Sequence, residues 1–160
     1  MRAKGVRCAL ALALGLALVA AACGEPEPEP EPEMRLGTGE DRWVALEDGG
    51  SADLVCGPQG GQHVFVSVRA RHLDPSRTTT RVRISRADDG ALVCERRLEG
   101  VRLIAVEGWG EVTGIACFVV DPREVSGRAV VLDGEVVDTA GRSCGASVRL
   151  VVRGPTAPCS

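Results

Sequence analysis

AVVLDGEVVDTAGRSCGASVRLVVR, residues 129–153, decides the fold class. Val130, Leu132 and Val136 fall on one side of an extended chain, and Cys144, Ala146, Val148, Leu150 and Val152 fall on one side of a second. Successive side chains of a strand point to opposite faces, so this period of two marks two half-buried strands. Between them Asp138-Thr139-Ala140-Gly141 supplies the short polar side chain and the glycine that a tight turn needs, which makes the pair a hairpin.

Upstream the same period recurs. Val64, Val66, Val68 and Ala70 share one face, with His63, Ser67, Arg69 and Arg71 on the other. Thr80, Val82 and Ile84 alternate with Arg81, Arg83 and Ser85, and Asp88-Asp89-Gly90 turns the chain into Leu92-Val93-Cys94. Residues 43–46, 54–56, 101–106 and 112–120 read as further strands, the last with Ile115, Cys117 and Val119 on one face. Glu47-Asp48-Gly49-Gly50, Gly57-Pro58-Gln59-Gly60-Gly61 and Glu107-Gly108-Trp109-Gly110 interrupt them, and Asp121-Pro122 opens a corner where the chain crosses between sheets. No segment sustains a period of 3.6, so helix is expected to be nearly absent from the mature domain. Short strands separated by frequent turns predict an all-β, two-sheet antiparallel sandwich of about 7 to 9 strands.

The N-terminal part sets the location. Arg2, Lys4 and Arg7 precede residues 9–22, an apolar run of 14 residues without charge. A membrane-crossing helix needs about 20 residues, so the run reads as a signal helix, with small residues before Cys23 suited to a peptidase. Glu25-Pro26-Glu27-Pro28-Glu29-Pro30-Glu31-Pro32-Glu33 cannot form a helix or a ladder, because alternate residues lack an amide hydrogen. It is expected to be a disordered tail or an extended spacer, about 30 Å long at roughly 3 Å per residue. The expected boundaries are a signal peptide over 1–22, a Glu-Pro linker over 23–35, one β-sandwich over 36–154 and a tail over 155–160. Loss of the signal peptide removes three cations and no acids, leaving 16 Lys plus Arg against 22 Asp plus Glu. Five of those acids lie in the linker, so no basic surface for nucleic acid is indicated.

Several motifs carry resemblances. Val19-Ala20-Ala21-Ala22-Cys23 resembles the lipobox of bacterial lipoproteins, with Ala20 where that pattern has leucine. The resemblance implies lipid attachment at Cys23, a membrane partner through that lipid, and a cell-envelope location facing the periplasm or the exterior. Ordinary cleavage would instead leave Cys23 as a thiol. The strand closed by Asp-x-x-Gly and followed by an alternating strand resembles the last hairpin of immunoglobulin-like and fibronectin-type domains over residues 42–153. Gly57-Pro58-Gln59-Gly60-Gly61-Gln62-His63, Trp109 with Glu111, and Asp121-Pro122 are similar to uncharacterised predicted bacterial lipoproteins. No cysteine stands on the Val64 strand, so the inter-sheet disulfide of antibody domains does not carry over.

Cys8 leaves with the signal peptide and Cys23 with the lipid, so Cys56, Cys94, Cys117, Cys144 and Cys159 remain. Outside the cytoplasm these are expected to pair. The immunoglobulin-like layout implies that Cys56, Cys117 and Cys159 fall at one end, with Cys56 joined to one of the other two.

Candidate chemistry is sparse. No Gly-Lys-Ser follows the glycine-rich stretch, no Gly-x-Ser-x-Gly is present, and His63 and His72 flank one strand without a cysteine pair at zinc spacing. Asp88, Asp89, Asp121 and Asp133 lack the spacing of a calcium loop. No catalytic residue, metal or cofactor is therefore expected. Trp109, bracketed by glycines, reads either as an exposed ligand contact for sugar or protein or as a plug over the core end, and Trp43 as core. The function expected is a non-catalytic, lipid-anchored module that binds an unidentified protein. The alternative is a structural subunit of an envelope assembly that docks through a sheet edge, and carbohydrate binding through Trp109 ranks below both.

Overall fold

The computed structural model describes residues 27–57, 60–154 and 159; the signal peptide and Cys23 lie outside them. Strand makes up 61% of the described chain, and no α-helix occurs there. In chain order the strands are β1 (Glu33–Thr38), β2 (Val44–Ala45), β3 (Ser51–Cys56), β4 (Gln62–Arg71), β5 (Thr78–Arg86), β6 (Leu92–Val101), β7 (Ile104–Val106), β8 (Trp109–Val119), β9 (Ala129–Val137) and β10 (Ser143–Arg153). A single turn of 3-10 helix, Pro122–Glu124, fills the corner after β8 and is capped by the Asp121 side chain.

The strands form a curled mixed sheet in the order β2-β1-β4-β3-β10-β9-β5-β6, with β8 on the other edge of β4 and β7 on β8. β3 is the joint. Its first half, Ser51 to Asp53, runs parallel to Val151, Val152 and Arg153, and its second half pairs antiparallel with β4. Wholly antiparallel pairing was the expectation and is corrected here. β4 to β9 all lie between β3 and β10 in the chain, so no short hairpin connection holds these two strands to antiparallel pairing.

β4 lies between β8 on one edge and β1 and β3 on the other. Its inward side chains Val64, Val66, Val68 and Ala70 meet Val82 and Ile84 of β5, Val130, Leu132 and Val136 of β9, and Leu150 and Val152 of β10 in one buried core. Cys94 of β6 is bonded to Cys117 of β8 within that core, so one covalent clip ties the β5-β6-β9-β10 group to the β4-β8 group.

Three local features differ from the sequence reading. β1 begins at Glu33, three residues before the expected domain start, because Pro32 is the last proline of the repeat and an unbroken row of amide hydrogens resumes at Glu33. β7 and β8 form a two-residue hairpin in place of a loop: Glu107 and Gly108 both take positive φ, 50° and 81°, the geometry that matches the twist of paired strands. The turn hides in sequence because glutamate seldom adopts that conformation. Finally, β8 carries a bulge opposite Val66 and Val68, where Gly114 receives the backbone of residues 39 and 40.

Candidate docking surface

The period of two that buries Val64 and Val66 turns His63, Phe65, Ser67, Arg69 and Arg71 to the opposite face of β4. On β8 the same logic buries Ile115, Cys117 and Val119 and turns Phe118 outward. Register then places Val55 of β3, His63 of β4 and Phe118 of β8 side by side in one row. The His63 ring stands edge-on to Phe65 at 4.8 Å and to Phe118 at 5.4 Å between centroids.

The glycine-rich stretch explains how these rings fit. A Cβ on Gly57 would lie 2.5 Å from His63 Cε1, and one on Gly61 would lie 2.9 Å from Phe118 Cε1. Gly57 N–H donates to the Gly61 carbonyl at 2.7 Å, closing a turn beside both rings. Under this cover His63 is buried, and its Nδ1 has no hydrogen-bond partner.

Phe118 is 55% exposed and Val120 97%. Val44 and Val55 are exposed as well, and with Phe65 they line a neighbouring cleft of about 530 Å³. Of the six exposed large hydrophobic side chains among the described residues, Val55 and Phe118 flank His63 in one register row, and Val44 shares the cleft with Val55. Glu40, Asp41, Asp53, Arg42 and Arg153 rim the cleft. Sequence reading separated Phe118 from the face of Ile115, Cys117 and Val119 but missed this surface, because only the register of β3, β4 and β8 brings Phe118 into one row with His63 and Val55.

At the other end of β4 the outer face is charged. Arg35 and Arg71 place their guanidinium carbons 4.7 and 4.5 Å from the centre of the Trp109 ring. Arg71 is held by both oxygens of Glu33, at 2.6 and 2.8 Å, and this bond holds the Glu33 carboxyl below its ordinary range. Arg69 donates to Glu111 at 2.7 Å while its guanidinium covers Trp43 at 4.9 Å. Trp109 is thus a half-buried ring under two cations, and a ligand that stacked on it would have to displace one of them. Trp43 likewise lies on the outer face, over Gly37, where a Cβ would come within 2.6 Å of its ring. An apolar hollow of about 270 Å³ lies beside Trp109, between Leu73, Pro75, Leu103 and Ala105.

Cys56 is bonded to Cys159, which holds Cys159 beside Gly60 and Gly61; Cys117 is bonded to Cys94. Cys144 is a free thiol, pushed up to about 11 by burial and by the nearby Glu33 carboxylate. His63 and His72 occupy opposite ends of β4, and no group of three His, Cys, Asp or Glu side chains converges among the described residues.

Fold and surface together define an all-β module with an apolar patch and a mixed-charge rim. No protein-family profile matches the chain, and no curated protein matches it. Among solved structures it is similar to a bacterial adhesin from Mobiluncus mulieris that contains intramolecular disulfide, isopeptide and ester bond cross-links. Two crystal forms match at 11% and 12% identity with TM-scores of 0.44 and 0.42, over 78% and 81% of this chain. The chain spans 58% and 51% of those adhesin chains. It is also similar to the CooA pilin subunit from enterotoxigenic Escherichia coli, at 8% identity and a TM-score of 0.36, over 76% of this chain and 99% of the pilin.

Proposed function

We propose that this chain is a non-catalytic module of the bacterial cell envelope, an immunoglobulin-like β-sandwich held to a membrane by lipid on Cys23, that binds a protein through the surface around Phe118. The observation that carries the docking role is the row in which exposed Val55 and Phe118 flank His63, with exposed Val44 in the adjoining cleft. Contiguous exposed apolar area with a polar rim is the signature of a protein contact. The sandwich reading is supported by two strand groups that share one core and by the Cys94–Cys117 clip between them.

Position supports the same role. β1 begins beside Arg71, at the C-terminal end of β4, whereas His63 and Phe118 lie at its N-terminal end. The first strand of the domain therefore starts at the end of β4 away from His63 and Phe118. The test is mild crosslinking in native envelopes, with Cys23→Ala and Phe118→Asp forms beside the parent. A partner that persists with Cys23→Ala and disappears with Phe118→Asp supports the reading; a partner indifferent to Phe118→Asp disproves it.

A second reading, a structural subunit docked by a sheet edge, rests on β8. From Val112 to Val119 this strand carries no charged residue, and beyond β7 its outer edge has no strand neighbour among the described residues. The β6 edge is guarded by Glu95, Arg96, Arg97 and Glu99. Proline at Ala116 would abolish docking through this edge while leaving the Phe118 side chain in place.

A further inference from the structure

We infer that β1, β4 and β8 form a mechanical clamp that resists tension applied between the start of β1 and the Phe118 end of β8. The inference rests on the proposed docking face, since a partner held at Phe118 and a tether ahead of Glu33 pull the domain along this line. β1 and β8 flank β4, and both run antiparallel to it. Glu33 pairs with Arg71 at one end of β4, and Phe118 pairs with His63 near the other. A pull on these two points therefore runs along the strands. The hydrogen bonds of an antiparallel ladder lie across the strands, so such a pull shears all six β1–β4 pairs together, and the β4–β8 pairs likewise. A pull applied at one end instead opens a ladder one pair at a time.

Side-chain contacts stitch the same two ladders. At the Arg71 end, Arg71 of β4 donates to both oxygens of Glu33 of β1, and Trp109 of β8 lies against the guanidinium groups of Arg35 of β1 and Arg71 of β4. Arg69 of β4 donates to Glu111 of β8. At the far end of β1, Thr38 Oγ1 donates to the Phe65 carbonyl at 2.7 Å. The next carbonyl, that of Gly39, accepts from Ser67 Oγ of β4 at 3.1 Å and from the Gly114 amide of β8 at 3.3 Å. Each contact joins two of the three strands, or one of them to the residue that follows β1, so sliding one strand along another loads them together. Cys117, next to Phe118, is bonded to Cys94 of β6, so tension at that end cannot strip β8 from the fold alone.

The experiment is single-molecule stretching of the full chain at constant force, with azide-bearing residues as handles. One pair of handles stands at residues 23 and 120, and a second pair at residues 23 and 107. Residue 107 lies in the β7–β8 turn at the Arg71 end, so the second pair opens the sheet from that end. The 23–120 pair is expected to survive more than about tenfold longer at equal force, because several hydrogen bonds must break at once. Thr38→Val with Ser67→Ala removes two stitches that shear loads from the start and peeling reaches last. It should shorten the 23–120 lifetime about tenfold and leave the 23–107 lifetime unchanged. Equal lifetimes for the two handle pairs overturn the clamp, as does a double variant that shortens both lifetimes alike. Both handles sit on the chain itself, so neither outcome depends on a protein docking at Phe118, which the envelope crosslink with Phe118→Asp tests separately.

Discussion

Asp138 shows how one carboxylate organises an end of the fold. It caps the β9–β10 turn by accepting from the Ala140 and Arg142 amides at 2.9 Å each, and it reaches across to the Asp74 amide in the loop after β4 at 3.2 Å. Burial pushes its carboxyl up, but the three amide donors pull further, and the balance lies below the ordinary range. A carboxyl lowered in the folded state contributes stability above its unfolded pKa, about 3.9, and that contribution is lost as pH falls through the folded value. Asp138→Ala should therefore cost about 1–3 kcal/mol at neutral pH, since it orphans three amides. The difference between variant and parent in denaturant midpoint should shrink below about pH 4; a difference unchanged down to pH 2 would refute the assignment. The Asp-x-x-Gly turn was legible because its signal is local. The bond to Asp74 was not, because it joins residues 64 apart that only the folded sheet brings together.

Among the elements, the strands most legible in sequence are those with one wet and one dry face. The alternation of β5 and β10 reflects deeper burial on one side, and β4 alternates in residue type although His63 and Ser67 of its outer face are also buried. β1 was hidden because the Glu-Pro repeat runs into it, and the crossing made by β3 was hidden because no residue type marks a strand that changes neighbours. Cysteine spacing left many pairings open, since the Cys94–Cys117 clip depends on β6 and β8 meeting across the core. Exposure then separates the two bridges: Cys56 is exposed and Cys159 half-buried, whereas Cys94 is 8% exposed and Cys117 fully buried. Thiol exchange needs access to a sulfur. Titration with a dithiol under native conditions should therefore open Cys56–Cys159 first, with Cys94–Cys117 resisting until the domain unfolds, as read by mass-tagging of the freed thiols. Replacing Cys94 and Cys117 together by alanine should cost about 2–5 kcal/mol. Simultaneous loss of both bridges at low reductant would contradict this core.

At the scale of the whole molecule, the proposed docking role and the stability of the fold fall to opposite faces of the same strands. β4 and β8 give Val66, Ile115, Cys117 and Val119 to the core and Phe118 to the outer surface, so the two tasks separate at alternate residues. Substituting the outward set should remove docking without weakening the fold, because exposed positions away from special backbone geometry change stability by only about 0.5 kcal/mol. Phe118→Ser with Val120→Ser is expected to unfold within about 0.5 kcal/mol of the parent and to lose the crosslinked partner. Ile115→Ala, which keeps the outer surface and leaves a void in the core, is expected to cost about 2–5 kcal/mol while the partner is still captured below its unfolding midpoint. Denaturant midpoints and crosslink yields measured on the same preparations check both. If the serine pair instead destabilised the domain as much as Ile115→Ala, Phe118 would belong to the core and its surface would have no separate function.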